Sequence, residues 1–268
     1  MAMTKDELLA LIDQAAAEGW TELDLSGQGL TELPEEIGKL TQLERLILGK
    51  GKKNDQGNQQ WNFQVVDGNQ RLVALVEGNK LTALPDSIAN LHNLNYLDLS
   101  GNLWRTFPDE IGNLTQLETL IVLTCDLTEI SERITGLQKL QRIDLRYNQI
   151  STIPDSLAQA ASLQQLYLRS NQISTIPDSL AQAASLQQLD LSSNQISTIP
   201  DSLAQAASLQ QLYLSYNQIS TIPDSLAQAA SLQQLYLSSN QISTIPDSLA
   251  QAASLQQLDL RSNQISTI

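Results

Sequence analysis

The sequence predicts an α/β solenoid, a right-handed β/α superhelix of stacked coils with a parallel β-sheet along its concave side. One 23-residue unit recurs five times between Asn148 and Ser262, and 20 of its 23 positions are identical in every copy. Within each unit, leucines alternate with polar residues, a period typical of a strand with one buried face. Such a strict internal period indicates repeated units that bury their apolar faces against their neighbours.

The chain begins with a predicted capping helix at residues 4–19. Thr4 and Glu7 match the Ser/Thr-x-x-Glu pattern of a capping box, and Gly19 suits a helix C-terminus. Apolar residues fall at helical spacing: Leu8, Leu11, Ile12 and Ala15. An amphipathic helix can dock a partner, but the simpler interpretation is that it covers the open N-terminal end of the repeat core.

Each repeat then follows the pattern Leu-x-x-Leu-x-Leu-x-x-Asn-x-Ile-x-x-Ile-Pro-x-x-Leu, as from Leu163 to Leu180. This pattern closely resembles the leucine-rich repeat, and the resemblance covers ten repeats and nearly the whole chain after residue 19. It implies one elongated domain with a continuous core. The first positions of the repeats are Trp20, Leu43, Leu94, Leu117, Leu140, Leu163, Leu186, Leu209, Leu232 and Leu255.

The residues of one repeat predict a strand followed by a helical turn. Leu166 and Leu168 face the core while Tyr167 faces the opposite side, because side chains alternate along a strand. Pro177 keeps the preceding residue extended and is tolerated at the first position of a helical turn. The segment Leu-Ala-Gln-Ala-Ala that follows has good helix propensity.

An asparagine stands where each coil leaves its strand. Its amide can bond backbone groups of its own and of adjacent coils, which predicts a ladder. The members of this ladder are Asn148, Asn171, Asn194, Asn217, Asn240 and Asn263. Cys125, the only cysteine, takes this position in its repeat, and we expect a structural thiol rather than a reactive one.

A 28-residue insertion, residues 51–78, interrupts the second repeat. Apolar and polar residues alternate from Trp61 to Val66, a turn motif follows at 67–70, and 71–76 is again strand-like, which predicts a β-hairpin. Long loops on rigid scaffolds are often functional. Two interpretations of Trp61 and Phe63 stay open: they contact a ligand, or they pack the hairpin onto the solenoid.

We therefore expect a single domain over residues 1–268. Its parts are the cap at 4–19, repeats 1 and 2 at 20–49, the insertion at 51–78, irregular repeats at 79–147 and near-identical repeats at 148–268, the last one truncated. Without a covering coil, the last repeat would expose Leu258, Leu260, Ile265 and Ile268. Exposed strand edges pair readily, so we expect fraying or weak self-association there.

Composition limits the possible functions. A net charge of −14 disfavours nucleic acid or an anionic membrane as partner. No catalytic, metal or cofactor motif occurs, and His92 lies in a variable loop where a solvated side chain is expected. The chain contains no apolar run of about 18 residues and no secretory leader, so we expect a cytoplasmic protein that is not an enzyme.

Variation among the five near-identical units is confined to three positions. The first two are strand residues opposite the core leucines, and the third follows at the rim, so we expect one diversified concave surface. Tyrosine, aspartate, arginine and serine dominate it, as in antibody paratopes. The predicted partner-binding residues are Asp144, Arg146, Tyr147, Tyr167, Arg169, Asp190, Tyr213, Tyr216, Tyr236, Asp259 and Arg261. Neutral drift, or a designed array, is the alternative explanation.

The N-terminal half also resembles the leucine-rich region of bacterial, especially cyanobacterial, Roco proteins. The resemblance is carried by Thr-Lys-Asp-Glu-Leu-Leu-Ala-Leu-Ile at 4–12, by the segment 21–50, and by the insertion after it. In that family the repeats precede a Roc GTPase and a COR module. Two functions therefore stay open: a binding module for a protein or peptide, or the sensing domain of a larger GTPase whose motifs are absent here.

Overall fold

The computed structural model describes residues 2–66 and 69–266. It begins with helix α1 (Lys5–Glu18), capped by Thr4, whose side chain and backbone exchange hydrogen bonds with Glu7. The helix ends at Gly19, which adopts a left-handed backbone with φ of 67°. Its apolar face is buried against the first coils at Leu8, Ile12 and Ala15. The predicted cap and its capping box are confirmed.

The solenoid is built around one long sheet along which successive coils add parallel strands in register. The strands are β1 (Glu22–Asp24), β2 (Arg45–Gly51), β3 (Trp61–Val66), β4 (Asn69–Ala74), β5 (Val76–Glu77), β6 (Tyr96–Leu99), β7 (Thr119–Ile121), β8 (Arg142–Asp144), β9 (Gln165–Tyr167), β10 (Gln188–Asp190), β11 (Gln211–Tyr213), β12 (Gln234–Tyr236) and β13 (Gln257–Asp259). The parallel order runs β1-β2-β6 and then consecutively to β13. This arrangement confirms the predicted solenoid.

Short 3₁₀ helices line the opposite side of the coils. They span Glu35–Lys39, Asp86–Asn90, Asp109–Asn113, Glu132–Gly136, Asp155–Gln159, Asp178–Gln182, Asp201–Gln205, Asp224–Gln228 and Asp247–Gln251. Pro177 precedes its helix as an extended N-cap, with φ of −70° and ψ of 141°, so its predicted place at the first helical position is wrong. Five residues turn more tightly as 3₁₀ than as α-helix, which lets the coil close within its 23-residue period.

The core is one continuous column of leucine and isoleucine, with the asparagine ladder along its side. Asn194 shows the repeating geometry: its Nδ2 donates to the carbonyls of Leu168 and Leu191, both at 3.0 Å, and its Oδ1 accepts the N–H of Ile173 at 2.9 Å. The same bonds recur at Asn171, Asn217 and Asn240. The ladder is confirmed, and it pairs backbone groups that burial would otherwise leave without partners.

At Cys125 a thiol replaces the side-chain amide of the asparagine ladder. Its thiol lies 3.2 Å from the carbonyl of Leu123 and 3.5 Å from that of Leu99, where an asparagine would donate. The indole Nε1 of Trp104 donates to the same Leu99 carbonyl at 3.0 Å. Burial raises the pKa of the Cys125 thiol to about 12. The cysteine is therefore structural, as predicted.

A second ladder, which the sequence analysis did not predict, runs along the convex side. The hydroxyl of Ser179 donates to Asp155 at 2.7 Å, and that of Ser225 donates to Asp201 at 2.6 Å. Ser185 donates to the carbonyl of Ala161 at 2.6 Å. Each serine lies 24 residues after its acceptor, which is one 23-residue period plus one position. These bonds give the serines and aspartates of the identical units a structural reason for their identity.

The insertion leaves and rejoins the second coil through an extension of β2. Strands β3 and β4 pair antiparallel over all their residues, in agreement with the predicted hairpin; the predicted turn residues Asp67 and Gly68 lie outside the described part of the chain. The second strand is interrupted at Leu75, after which β5 pairs antiparallel with Lys50 and Gly51. At Gly78 a Cβ would lie 1.8 Å from the carbonyl oxygen of Gly101, so only glycine fits this return point.

At the last described coil, Leu258 is 36% exposed, and Leu260 and Ile265 are partly buried against the core. Ile268 lies outside the described residues, and self-association through this edge stays a prediction. Within residues 2–66 and 69–266, no helix has the length and apolarity that crossing a bilayer requires.

Candidate functional site

The residues that vary among the repeats form three columns on the strand side of the solenoid. Because the strands pair in register, Asp190 lies beside Tyr213 and Tyr213 beside Tyr236. The central column comprises Asp144, Tyr167, Asp190, Tyr213, Tyr236 and Asp259. The flanking column comprises Arg146, Arg169, Ser192, Ser215, Ser238 and Arg261. The turn column comprises Tyr147, Ser170, Ser193, Tyr216, Ser239 and Ser262.

The turn column has a left-handed backbone, which the sequence analysis missed. Its six residues have φ between 56° and 62°. This conformation costs a residue with a Cβ roughly 1–2 kcal/mol. Gly27 and Gly101 hold the equivalent position in two earlier repeats, with φ of 68° and 65°. Glycine at this position is the sequence feature that indicates a left-handed backbone.

The two tyrosines of the turn column have opposite environments. Tyr216 is 61% exposed, whereas Tyr147 is 8% exposed. Burial raises the pKa of the Tyr147 phenol. Tyr147 therefore offers little surface to a partner, in contrast to the prediction, while Tyr216 projects into solvent.

Asp144 is also buried, which corrects its predicted role as a direct partner contact. Its side chain is 1% exposed because Arg146 covers it with two charge-assisted bonds, Nε to Oδ1 and Nη2 to Oδ2, both 2.7 Å. Arg142 approaches the same carboxylate at 3.4 Å. Asp144 therefore orients two guanidinium groups, and those groups form the accessible surface.

Aromatic rings form a flat surface in the middle of the central column. Tyr213 and Tyr236 stack with their centroids 4.7 Å apart and their planes within 4° of parallel. Tyr167 lies next to two cations: the guanidinium of Arg142 is 4.8 Å from its ring centroid and that of Arg146 is 5.6 Å away. Stacked rings and cation–π pairs lose little entropy on binding because they are already held in place.

Charges alternate with these rings along the strip. Asp190 accepts the N–H of Ser192 at 3.0 Å. At the C-terminal end, Arg261 binds Asp259 through Nε and Nη2, at 2.8 and 2.7 Å, and holds the pKa of that carboxyl at about 2. Arg169 is exposed between the two ends. The strip therefore presents arginines on its N-terminal side and tyrosines with an aspartate in its middle.

A cleft of about 560 Å³ opens beside this strip, between the base of the insertion and β8. Lys50 and Lys53 stand on the insertion side, Arg142 and Arg146 on the other. Ile121 and Leu123 contribute an apolar floor. The sequence analysis did not select this region because its residues belong to the irregular repeats, where no internal comparison isolates the variable positions.

Asp98 is the buried acid of the cleft. Its carboxylate accepts hydrogen bonds from the hydroxyl and the N–H of Ser100. Burial raises the pKa of Asp98 to about 7, and the nearby charges of Asp144 and Asp24 add to the shift. The group therefore changes protonation near neutral pH.

Potential catalytic groups are dispersed. Cys125 is buried, and His92 is exposed in a loop far along the chain from the central column. Across the described ranges 2–66 and 69–266, no three His, Cys, Asp or Glu side chains cluster as metal ligands would. Asp144 and Asp259 pair with arginines of the strand side, whereas Arg169 is exposed and Asp190 accepts a backbone N–H.

Comparison with known families identifies the repeat. A model described as "Leucine rich repeat" matches residues 167–219 and 216–265, and one described as "Leucine-rich repeat region" matches residues 71–182. This chain is a leucine-rich-repeat protein. No curated protein matches its sequence.

Solved structures share the solenoid of this leucine-rich-repeat protein. The plant peptide hormone receptor RGFR1, solved in complex with RGF2, is 27% identical with a TM-score of 0.67 over 98% of this chain and 42% of the receptor chain. A TDR receptor is 23% identical with a TM-score of 0.70, covering 98% and 46%. An internalin, InlF from Listeria monocytogenes, is 22% identical with a TM-score of 0.67, covering 98% and 76%. This chain thus spans less than half of each of the two receptor chains.

Proposed function

We propose that this leucine-rich-repeat protein is a non-catalytic recognition module that binds a protein or peptide along the central and flanking columns from β8 to β13, together with Tyr216 of the turn column. The observation that carries the proposal is the position of the variable residues. Exposed residues on other faces, such as Gln159 and Gln205, are identical in every unit, while the strand-side columns differ. Duplication accounts for identity, and diversification of one face is what a recognition surface requires.

The chemistry of the strip suits an extended polypeptide. Tyr213, Tyr216 and Tyr236 supply large amphipathic contact area, and few rotatable bonds are lost when they bind. Arg146 and Arg169 favour acidic groups at one end, while Asp190 favours a basic group near the tyrosines. A peptide lying along the column would therefore be fixed in direction as well as position.

The similarity to RGFR1 adds support, since that receptor was solved with the peptide RGF2. Its 27% identity extends over nearly this whole chain. The partner-binding residues of the present chain are proposed from their own geometry, with Asp144 and Tyr147 placed beneath the surface as supports.

The test begins with selection of peptides from a random display library on the immobilised protein. Affinity of the selected peptides for the parent and for the double variant Tyr213→Ala/Tyr216→Ala is then measured by calorimetry. Truncating two central tyrosines should cost about 2 kcal/mol or more, the range of hot-spot residues. Circular dichroism should stay unchanged, because Tyr216 is exposed and Tyr213 only half-buried.

Gln205→Ala is the matched control, since Gln205 is exposed at the end of its 3₁₀ helix on the convex side. It should bind the selected peptides as the parent does. Equal losses in the control and in the tyrosine variant would refute the proposal, and so would peptides that bind the tyrosine variant with undiminished affinity.

An alternative proposal places this module in the cytoplasm as the sensing domain of a larger Roco-type GTPase. It rests on the N-terminal resemblance at residues 4–12 and 21–50 and on the insertion that follows. Reading the gene beyond codon 268 tests it: a P-loop motif within the following few hundred codons would support this alternative, and a stop codon without one would exclude it.

A further inference from the structure

The cleft between the insertion and β8 differs electrostatically from the rest of the protein. The chain carries a net charge of −14, yet four cationic side chains border this cleft. Lys50 pairs with Asp24, and Arg146 with Asp144. Lys53 is exposed and makes no ion pair with any described residue. Glu77 also lines the cleft and pairs with Lys52, so Lys53 is the lining cation that no described acid neutralises.

Arg142 is the least satisfied of these cations. Its Nη1 and Nη2 bonds to Gln165 and Asp144 are both long, at 3.4 Å. Its Nε is buried and has no hydrogen-bond partner among the described residues. Buried polar atoms in folded proteins nearly always have partners, and one without a partner requires an explanation. The Arg142 side chain is 38% exposed, so an oxyanion in the cleft would give its weakly bonded Nη1 and Nη2 groups a stronger acceptor.

The floor of the cleft defines the rest of the ligand. Ile121 and Leu123 stand at outward positions where the repeats from β8 to β13 carry polar or aromatic residues. Ile47 on β2, in register with Ile121 through Asp98, is apolar as well and lines the same cleft. Tyr96 extends this surface, its ring held 3.8 Å below the guanidinium of Arg45. Pockets of 300–1,000 Å³ with apolar walls and a few polar groups are typical of small-molecule sites, and about 560 Å³ lies within that range.

We propose that this cleft binds a small organic carboxylate, with its carboxylate on Arg142 and Lys53 and its apolar body on Ile121 and Leu123. A planar carboxylate matches the geometry of a guanidinium. A doubly charged phosphate would be repelled more strongly by the acids that share the cleft, Glu77, Asp98 and Asp144. The cleft shares Asp144 and Arg146 with the N-terminal end of the proposed peptide strip, whereas Arg142, Lys53, Ile121 and Leu123, which would hold the carboxylate, lie outside the columns of that strip.

Asp98 makes the proposed binding depend on pH. It faces Asp24 from β1, Lys50 from β2 and Asp144 from β8, and it also interacts with Tyr96 on its own strand and with Cys125. With a pKa of about 7, it is mostly neutral at pH 6 and mostly ionised at pH 8. An ionised Asp98 repels a ligand carboxylate, so affinity should increase as the pH falls from 8 to 6.

The test uses 3-phenylpropionate as the probe and its uncharged amide as the comparison, followed by amide chemical shifts of Ile121 and Leu123. The acid should bind with a dissociation constant of about 1 mM, an ordinary affinity for a ligand of this size. The amide should bind roughly tenfold more weakly, because it lacks the charge that pairs with Arg142.

Two variants and a control separate this site from general effects. Arg142→Gln should weaken binding of the acid roughly tenfold, and Arg169→Gln, at an exposed arginine outside the cleft, should leave it unchanged. Lys53→Gln, at an exposed position that folding does not need, should weaken binding about threefold. Tyr213→Ala should leave the probe's affinity unchanged, which keeps this result distinct from that of the peptide strip.

Three outcomes would overturn the proposal. The first is equal binding of the acid and the amide. The second is undiminished affinity in both Arg142→Gln and Lys53→Gln. The third is the absence of shifts at Ile121 and Leu123 when the acid is present at about tenfold the expected dissociation constant.

Discussion

The asparagine ladder allows a quantitative prediction for Asn194→Ala. The change removes one acceptor and one donor group from a buried site. The N–H of Ile173 loses its Oδ1 partner at 2.9 Å. The carbonyls of Leu168 and Leu191 each lose one bond but keep another, since Asn171 donates to the first and Asn217 to the second. A single backbone group, the N–H of Ile173, is therefore left with no partner.

The expected loss of stability has two parts, one from the unpaired N–H of Ile173 and one from the carbonyls of Leu168 and Leu191, which keep a partner. An unpaired buried donor costs about 1–3 kcal/mol, and each lost second bond to a carbonyl adds about 0.5–1 kcal/mol. The free energy of unfolding should therefore fall by about 2–5 kcal/mol. Asn263→Ala removes equivalent bonds at a partly exposed coil, where water replaces the lost partner, so we expect a loss below about 1.5 kcal/mol.

Urea unfolding followed by circular dichroism measures these losses, and amide exchange at Ile173 reports the local opening. Gln195→Ala is the control, because Gln195 is exposed next to the ladder and its backbone bond to Ile173 survives the change. A loss below about 1 kcal/mol for Asn194→Ala, or an equal loss at Asn263, would refute the argument from desolvation.

Three further predictions concern single sites. Ser193→Gly, at a left-handed position, should raise the free energy of unfolding by about 0.5 kcal/mol. Ser192→Gly, at the preceding residue, which has no positive φ, should lower it by about 0.5–1 kcal/mol, and urea titration distinguishes the two signs. Cys125, buried and with a pKa raised to about 12, should react with a thiol reagent only after denaturant is added. Asp98, with a pKa raised to about 7, binds its proton more tightly in the folded state than in the unfolded state. Its contribution to the free energy of unfolding should therefore fall by up to about 4 kcal/mol between pH 4 and pH 8. Asp98→Asn should remove that decline when unfolding is measured at both pH values.

The fold was predictable because only a stack of coils buries leucines that recur with this period. Leu166 and Leu168 must face the same side, and coils 23 residues apart then align asparagines in a ladder. The type of helical turn was not predictable in the same way. Leu-Ala-Gln-Ala-Ala favours an α-helix locally, but the closure of each coil selects five residues of 3₁₀ helix after Pro177.

The exposure of side chains within the columns could not be predicted from one repeat, because it depends on residues of the adjacent coils. Tyr147 and Tyr216 share a position and a backbone conformation, yet one is covered and the other is exposed. Asp144 and Asp190 also share a position, and Asp144 is buried because Arg142 and Arg146 both lie over it. Periodicity assigns a residue to a face of the sheet, whereas the adjacent coils determine what remains accessible there.

The irregular repeats at residues 79–147 contain outward-facing residues that comparison of the near-identical units does not reveal. In the near-identical units the outward strand positions hold Tyr, Asp, Arg or Ser, so an apolar pair at those positions is anomalous. Ile121 and Leu123 are such a pair; Ile121 is partly exposed, Leu123 is 6% exposed, and both line the floor of the cleft, which supports the proposed binding site. The insertion closes the open side of this region with Lys50 and Lys53. Two independent irregularities of the sequence therefore coincide at the cleft proposed to bind a ligand. One is an apolar residue, Ile121, at an outward strand position, and the other is the insertion at residues 51–78, which lengthens the second repeat.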